Sequence, residues 1–149
     1  MSKITKLQNK LDKAKVTYFK AHEFFVKGGS HSSPRSRGYG KNTDPPEGLL
    51  NNIVPTAVVL QTAREMLGAP IIISSCYRSP AYNKAIGGAS RSLHQTFQAT
   101  DNVATDLVKL YHILATLRAA GAFLGGLGGY SSFVHVDTRG YNATWGIRY

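Results

Sequence analysis

The sequence predicts one α+β domain with a small, mainly antiparallel sheet and flanking helices. Helical and strand-like segments alternate irregularly, without the strict strand–helix–strand order of a parallel sheet. Hydrophobic residues make up 42% of the chain and charged residues 17%, which are the proportions of a globular protein. A length of 149 residues is enough to bury a single core.

The N-terminal segment is predicted to be a short basic helix. Ile4, Leu7 and Leu11 lie at helical spacing, and lysines occupy the other faces. We assign this helix to residues 1–15 and a single domain to residues 16–149. The helix either packs as a solvated element of the fold or contacts a cell wall or membrane surface.

A long loop is expected early in the domain. Residues 16–25 are predicted to be a strand or an extended entry. Residues 28–48 are rich in glycine, serine, proline and arginine, which predicts a loop. Loops of this length in compact domains are usually functional or mobile. We therefore expect residues 28–48 to bury little, to be mobile, and to lie near the functional site or a wall-facing surface.

The middle of the chain reads as helix, strand and short helix. Residues 49–67 are predicted to form a helix that ends at Gly68, with Pro55 near its first turns. Residues 70–79 are rich in isoleucine and predict a buried strand. The following short helix has Pro80 in its first turn, and a glycine pair ends it.

The second half adds a strand, a long helix and further strands. Residues 90–104 are predicted to be a half-buried, strand-like run. A helix follows, with Thr105 or Asp106 as its cap and Gly121 at its end. Residues 123–149 contain two or three strands separated by glycine turns.

The charge balance limits the partners. Lysine and arginine number 18 against 8 aspartate and glutamate residues, a formal net charge of +10. Such a field favours an anionic cell wall, anionic lipid or nucleic acid. We expect no nucleic-acid partner, because aromatic residues are not interleaved with the basic ones as a stacking platform requires. The longest apolar runs are too short to cross a bilayer, so no transmembrane segment is expected. We expect a monomer.

Two segments carry residues typical of a metal site. His94 and Asp101 flank a predicted strand, and His135 and Asp137 lie on one face of another because side chains alternate along a strand. Two histidines and a carboxylate are a set that holds catalytic zinc. Each signal alone is weak, since a lone strand histidine is more often a core residue. The single Cys76 excludes a cysteine zinc cluster and an intramolecular disulfide.

Together with "ISSCYRSPAYNKAIGGASRSLH", this pattern becomes specific. It resembles the family of zinc D-alanyl-D-alanine carboxypeptidases and L-alanyl-D-glutamate peptidases, which includes phage endolysins. The resemblance covers residues 16–145. The matching residues are Ser75 to Pro80, Tyr82, Asn83, Gly87, Gly88, Ser92, His94, Ala99, Asp101 and Phe133 to Asp137.

The resemblance implies a Hedgehog/D-Ala-D-Ala-peptidase-like fold and a Zn²⁺ ion bound by His94, Asp101 and His135. It implies that Arg78 holds the substrate carboxylate or the carbonyl of the bond being cut, work suited to a guanidinium group.

Two further residues are candidates for substrate binding. Ser92 either lines the pocket or bonds to the backbone as a turn hydroxyl. Tyr82 either contacts substrate or packs within the fold.

Two residues depart from the family pattern. Phe97 stands where glycine is common, which predicts a bulkier wall to the site. Ser132 stands where many members have an acid that serves as general base. Asp137 is the remaining candidate, either as the general base or as a residue that orients a ligand histidine.

We therefore predict a zinc peptidase that cuts a bond beside a D-amino acid in peptidoglycan stem peptides, as a carboxypeptidase or an endopeptidase. The alternative is a catalytically inactive wall-binding or virion structural module on the same fold. No secretory signal is visible at the N-terminus. This is consistent with a phage-type lysin made in the host cytoplasm, or with a virion component that acts on the cell wall.

Overall fold

A five-stranded sheet forms the frame of the protein, in a computed structural model that describes residues 1–149. The strands, in the spatial order β1-β2-β4-β3-β5, are β1 (Ile72–Ser75), β2 (Ala99–Val103), β3 (Gly126–Gly129), β4 (Val134–Asp137) and β5 (Ala143–Gly146). Neighbouring strands are antiparallel except for β3 and β5, which are parallel. The predicted α+β class with a mainly antiparallel sheet is confirmed.

The helices flank this sheet. The α-helices are α1 (Lys3–Lys13), α2 (Gly29–Ser32), α3 (Val54–Leu67), α4 (Pro80–Ala85) and α5 (Leu107–Ala119). Three 3₁₀ helices span Ala21–Phe25, Glu47–Ile53 and Leu93–Thr96. Asp106 caps α5 by accepting a hydrogen bond from the Lys109 amide at 2.9 Å, which satisfies one free amide of the first turn. No helix has the length and apolar character needed to span a membrane.

The two faces of strand β4 have different functions. Val134 and Val136 are fully buried in the hydrophobic core, to which α3 and α5 contribute. His135 and Asp137 alternate with them and therefore project from the other face. The period of two along this strand thus separates the core from the polar residues of the candidate site.

Five regions differ from the sequence-based expectation. Residues 28–48, predicted to be a loop, contain α2, and residues 49–53 belong to a 3₁₀ helix that precedes α3. In residues 16–25 the strand alternative is wrong: residues 16–20 form a non-helical entry, and a 3₁₀ helix follows, at whose start the Glu23 side chain accepts from the Lys20 amide at 2.7 Å. Residues 90–104 are a 3₁₀ helix followed by β2 rather than one strand-like run. Strand β1 is not wholly buried: it is an edge strand, and its Ile72 is 58% exposed.

Residues 28–48 are fastened to the rest of the domain. The Asn42 side chain is buried; it donates to the carbonyls of Lys27 and Tyr77 and accepts from the Ser79 amide. The expectation that this loop buries little is therefore wrong at Asn42. The same bonds argue against free movement of its second half.

Tyr82 provides a second contact between residues 28–48 and the rest of the domain. Its hydroxyl accepts a hydrogen bond from the His31 amide at 3.2 Å. A Cβ atom at Gly38 would lie 2.7 Å from the Tyr82 ring and from Ile86, so only glycine allows the loop to approach α4 this closely.

Candidate metal centre

The candidate site lies along one row of aligned residues that crosses all five strands. Strand pairing places Ser75 opposite Asp101, Asp101 opposite His135, His135 opposite Gly128, and Gly128 opposite Trp145. Cross-strand partners have their Cβ atoms about 4.5–5.5 Å apart. Residues far apart in sequence therefore meet on the polar face of the sheet.

His94 reaches this row from the 3₁₀ helix that precedes β2. Ser92 starts that helix, and its hydroxyl accepts from the His94 amide at 3.3 Å. Phe97 ends it with a left-handed backbone, φ 58°. This is the conformation that glycine adopts most easily.

The Phe97 side chain is fully buried and packs edge-on against Tyr77 and Phe25. The prediction that Phe97 forms a bulkier wall of the site is therefore wrong. The backbone keeps the shape that glycine would favour, and the ring enters the core.

The three predicted ligands come together. The ligand atoms of His94, Asp101 and His135 all lie within 4.8 Å of one another, and all three residues are buried. Asp101 Oδ1 lies 3.2 Å from His94 Nε2 and 3.1 Å from His135 Nδ1. One carboxylate oxygen thus faces two imidazole nitrogens.

The partners of the remaining nitrogens test whether a metal fits. His94 Nδ1 lies 2.6 Å from the Cys76 carbonyl, which can only accept, so Nδ1 carries the proton and Nε2 presents a lone pair. His135 Nε2 lies 2.7 Å from Asp137 Oδ2, and a proton there likewise leaves a lone pair on Nδ1. Without a cation, both lone pairs would face the anionic oxygen of Asp101 and repel it. A cation bound between the three groups removes this repulsion. The donor set fits a divalent metal.

Burial and charge act in opposite directions on these groups. Burial lowers the pKa of His94, and the nearby Asp101 carboxylate offsets only part of that effect. Burial would also lower the pKa of His135, but its hydrogen bonds to Asp101 and Asp137 raise it overall. Burial would raise the pKa of Asp101, yet His94 and His135 hold it well below its usual range. Asp101 is therefore ionised, as a metal ligand must be.

Asp137 is fully buried behind His135. Its carboxylate accepts from Arg139 Nε at 2.9 Å, from Arg139 Nη2 at 2.7 Å and from the Gly126 amide at 2.8 Å, besides the His135 ring. Burial alone would raise the pKa of Asp137, but the bonds from Arg139 and His135 hold it below its usual range. The oxygens of Asp137 are fully engaged within the protein.

An open cleft of about 680 Å³ leads to the three ligands. Arg78 lines it; its Nη2 donates to Asp101 Oδ2 at 3.0 Å and its Nε to Ser75 at 3.3 Å. Ser92 lines the cleft as well. Tyr82 does not: it is buried beneath residues 28–48, so it packs within the fold and its candidacy for substrate binding finds no support in the cleft.

The cleft has an aromatic wall that the sequence reasoning missed. Trp145 lies 4.9 Å from His135 between ring centroids, and its indole nitrogen donates to the Tyr130 hydroxyl at 2.8 Å. A Cβ atom at Gly128 would lie 2.5 Å from that indole nitrogen, and one at Gly126 would lie 2.8 Å from the ring. The alternating glycines of β3 therefore make room for the Trp145 ring to cross the strand.

Arg139 was also missed. It follows Asp137 of the "HVD" segment by two residues, and its guanidinium donates to the same carboxylate that His135 contacts. That spacing, and the alternation of glycines in "GLGG", were the signals that could have revealed both Arg139 and the position of Trp145.

Fold and site together define an α+β protein with a buried His–Asp–His group able to bind a metal ion. The family model described as Peptidase M15 matches residues 17–137. No curated protein matches the chain. The chain belongs to the peptidase M15 family, whose members are zinc-dependent metallopeptidases, and the resemblance noted in the sequence is confirmed.

Proposed function

We propose that this protein is a zinc peptidase that hydrolyses a peptide bond next to a D-amino acid in the peptide stems of peptidoglycan. One observation carries the proposal. At the base of the cleft, His94 and His135 direct a ring nitrogen at Asp101, while the other nitrogen of each ring is held by a partner behind it. Three protein ligands leave the open coordination position that hydrolysis requires.

Metal binding and substrate orientation fall to different residues of the cleft. His94, Asp101 and His135 would hold the ion. When bound, zinc supplies a Lewis acid for the carbonyl of the scissile bond and lowers the pKa of a water molecule. Arg78 lies beside Asp101 with its guanidinium partly exposed to the cleft, where it would orient a carboxylate or carbonyl of the substrate.

Asp137 fits the role of a positioning residue better than that of a general base. A general base needs a free lone pair within hydrogen-bond reach of the proton that it accepts. The oxygens of Asp137 face Arg139, Gly126 and His135, and none of its surface is exposed. We propose that Asp137 fixes the orientation of the His135 ring and raises its basicity as a ligand.

A second candidate function has its own support. Ser132 is exposed and does not line the cleft, and Asp101 is the only acid among the lining residues. The cleft therefore has no spare carboxylate to act as base. This favours the alternative of a catalytically inactive wall-binding or virion structural module that retains the metal site.

Mass spectrometry of muropeptides after incubation with zinc-loaded protein separates the two functions. If the protein is a peptidase, it releases a defined fragment whose mass identifies the bond that was cut. If it is a non-catalytic module, every stem peptide stays intact even when zinc is bound. The matched control is the His94→Ala/His135→Ala double variant, which should release nothing. Equal cleavage by that variant would show that the metal centre takes no part in the reaction.

The biological setting is proposed on charge. A formal net charge of +10 would favour adhesion to an anionic envelope, as expected for a phage-type lysin or a virion-associated wall enzyme. Sedimentation of the protein with purified cell walls should fall steeply as salt is raised. Binding that does not respond to salt would contradict this step.

A further inference from the structure

We propose that the metal cleft continues into a cationic groove that binds a free carboxylate of the substrate, several residues away from the bond being cut. The groove is defined by Arg37, Lys84 and Arg91. The groove would add a substrate preference to the proposed peptidase function, and the identity of the substrate rests on that function.

The two cavities are adjacent. A second cavity of about 320 Å³ lies beside the cleft of about 680 Å³, and Ile86 and Gly87 line both. Arg91 lines the cleft, while Arg37 and Lys84 line the second cavity. An extended substrate that fills the cleft can therefore pass over the turn at Ile86 and Gly87 and reach all three cations.

The charge of the groove is uncompensated. Arg37, Lys84 and Arg91 are exposed, and their side chains form neither an ion pair nor a hydrogen bond within the protein. No aspartate or glutamate lines the second cavity. In the cleft the lining acid is Asp101, which Arg78, His94 and His135 already neutralise. Grooves lined by one sign of charge concentrate the opposite charge.

The backbone that carries Arg37 is fixed. The Gly38 amide donates to the Ser36 hydroxyl at 3.1 Å, and the Tyr39 amide to the Ser36 carbonyl at 3.2 Å. Gly38 itself is pressed against Tyr82 and Ile86.

The backbone beside Lys84 and Arg91 is fixed as well. The Asn83 side chain donates to the Ala89 carbonyl at 2.9 Å, and a Cβ atom at Gly88 would clash with Asn83. Because the backbone is already ordered, only the side chains of these cations have to lose conformational entropy when a ligand binds.

The ligand chemistry follows from the three cations. Two guanidinium groups and one ammonium group suit a carboxylate, which a guanidinium can bind with two parallel hydrogen bonds. The second cavity lies beyond the turn at Ile86 and Gly87, so the acidic residue should lie further along the extended peptide and not next to the scissile bond. The substrate class is a peptide stem that carries a free side-group carboxylate, in preference to the same stem with an amide there.

The test compares matched peptides. Each pair has the same D-amino acid at the cleavage point and differs only in glutamate or glutamine at two, three or four residues from it. The zinc-loaded wild type should cleave the glutamate peptide of one pair with a kcat/KM about two- to fivefold higher. The Arg37→Gln/Lys84→Gln variant should bring that ratio close to one. Lys13→Gln, an exposed lysine on α1 that lines neither cavity, should keep the ratio of the wild type.

A binding measurement keeps this inference separate from the peptidase proposal. Fluorescence anisotropy of labelled versions of the same peptides, with chelator present, needs no cleavage. A preference for glutamate that the double variant loses supports the groove, even if no peptide is cut and the peptidase proposal fails. Equal affinity of the wild type for both members of every pair, or an unchanged preference in the double variant, would overturn the groove.

Discussion

The two ligand histidines are supported from behind in different ways. His94 is held by a main-chain carbonyl, that of Cys76, at 2.6 Å. His135 is held by the Asp137 carboxylate at 2.7 Å, and that carboxylate is itself clamped by Arg139. The first support is neutral and belongs to the backbone; the second is an ion pair made of side chains.

This difference predicts where the centre is sensitive to mutation. A backbone carbonyl remains whatever residue stands at position 76, so the His94 side depends on the fold. The His135 side depends on the identity of Asp137 and Arg139. Both supports fix which nitrogen is free, and such outer partners typically affect metal affinity by about 10–100-fold.

The largest expected effect comes from removing both histidines. His94→Ala/His135→Ala leaves Asp101 as the single ligand, and zinc should be lost entirely after dialysis. Elemental analysis of the variant beside the wild type, which should hold about one zinc per chain, measures this. Full zinc retention in the double variant would show that the ion binds elsewhere.

The next effect tests the ionic support of His135. Asp137→Asn removes the charge that faces His135 and Arg139, so zinc affinity should fall by about 10–100-fold. Any activity should return at high zinc. If Asp137 were the general base, zinc affinity would persist and turnover would instead drop by about 10²–10⁴-fold at every zinc concentration.

Asp106→Asn is the matched control for that substitution. Asp106 caps α5, is exposed and does not line the cleft, and asparagine caps a helix about as well as aspartate. Zinc affinity and activity should match those of the wild type.

A smaller effect is expected at the aromatic wall beside His135. Gly128→Ala places a methyl group against the Trp145 indole, so the ring must move, and stability should fall by about 1–3 kcal/mol. Trp145 is the only tryptophan, so its emission should report the displacement directly. Gly48→Ala is the control, because nothing lies within 4 Å of its Cβ position. An unchanged spectrum for Gly128→Ala would contradict the conclusion that the glycines of β3 make room for the Trp145 ring.

The smallest effect tests the neutral support of His94. Cys76→Ala keeps the carbonyl that holds the ring, so zinc affinity should not change. The lost sulfur leaves a small cavity, which should cost about 1–2 kcal/mol of the free energy of unfolding in a denaturant titration. A large drop in zinc affinity would mean that the two supports are not as different as their contacts indicate.

The thiol itself offers a second readout at this position. Burial, reinforced by the nearby Asp101 charge, raises the pKa of Cys76 well above its usual value. The thiol should therefore stay unreactive towards a thiol reagent in the folded protein and react on unfolding. Rapid labelling of the native protein would contradict its burial.

The sequence predicted the parts of the site that follow from local periodicity. Alternation along "FVHVD" put His135 and Asp137 on one face, and the family resemblance assigned His94 and Asp101 to the same centre. It could not give the strand register that places Asp101 opposite His135, because the two are joined by a helix and a further strand.

The sequence also could not show how single polar or aromatic side chains join distant segments. Asn42 ties residues 28–48 to Tyr77 and Ser79, a long-range contact that a loop-like composition hides. Phe97 was read by residue size alone, whereas the direction of its side chain follows from a left-handed backbone that only the folded chain reveals.

Anomalous diffraction from crystals grown with zinc, recorded on both sides of the zinc absorption edge, tests the metal centre most directly. The geometry predicts one strong peak about 2.0–2.2 Å from His94 Nε2, an Asp101 carboxylate oxygen and His135 Nδ1, with His135 Nε2 still bonded to Asp137. Absence of a peak between these three residues would contradict the account. So would a peak bound through His135 Nε2 and Asp137, because Asp137 would then be a ligand and not the support behind one.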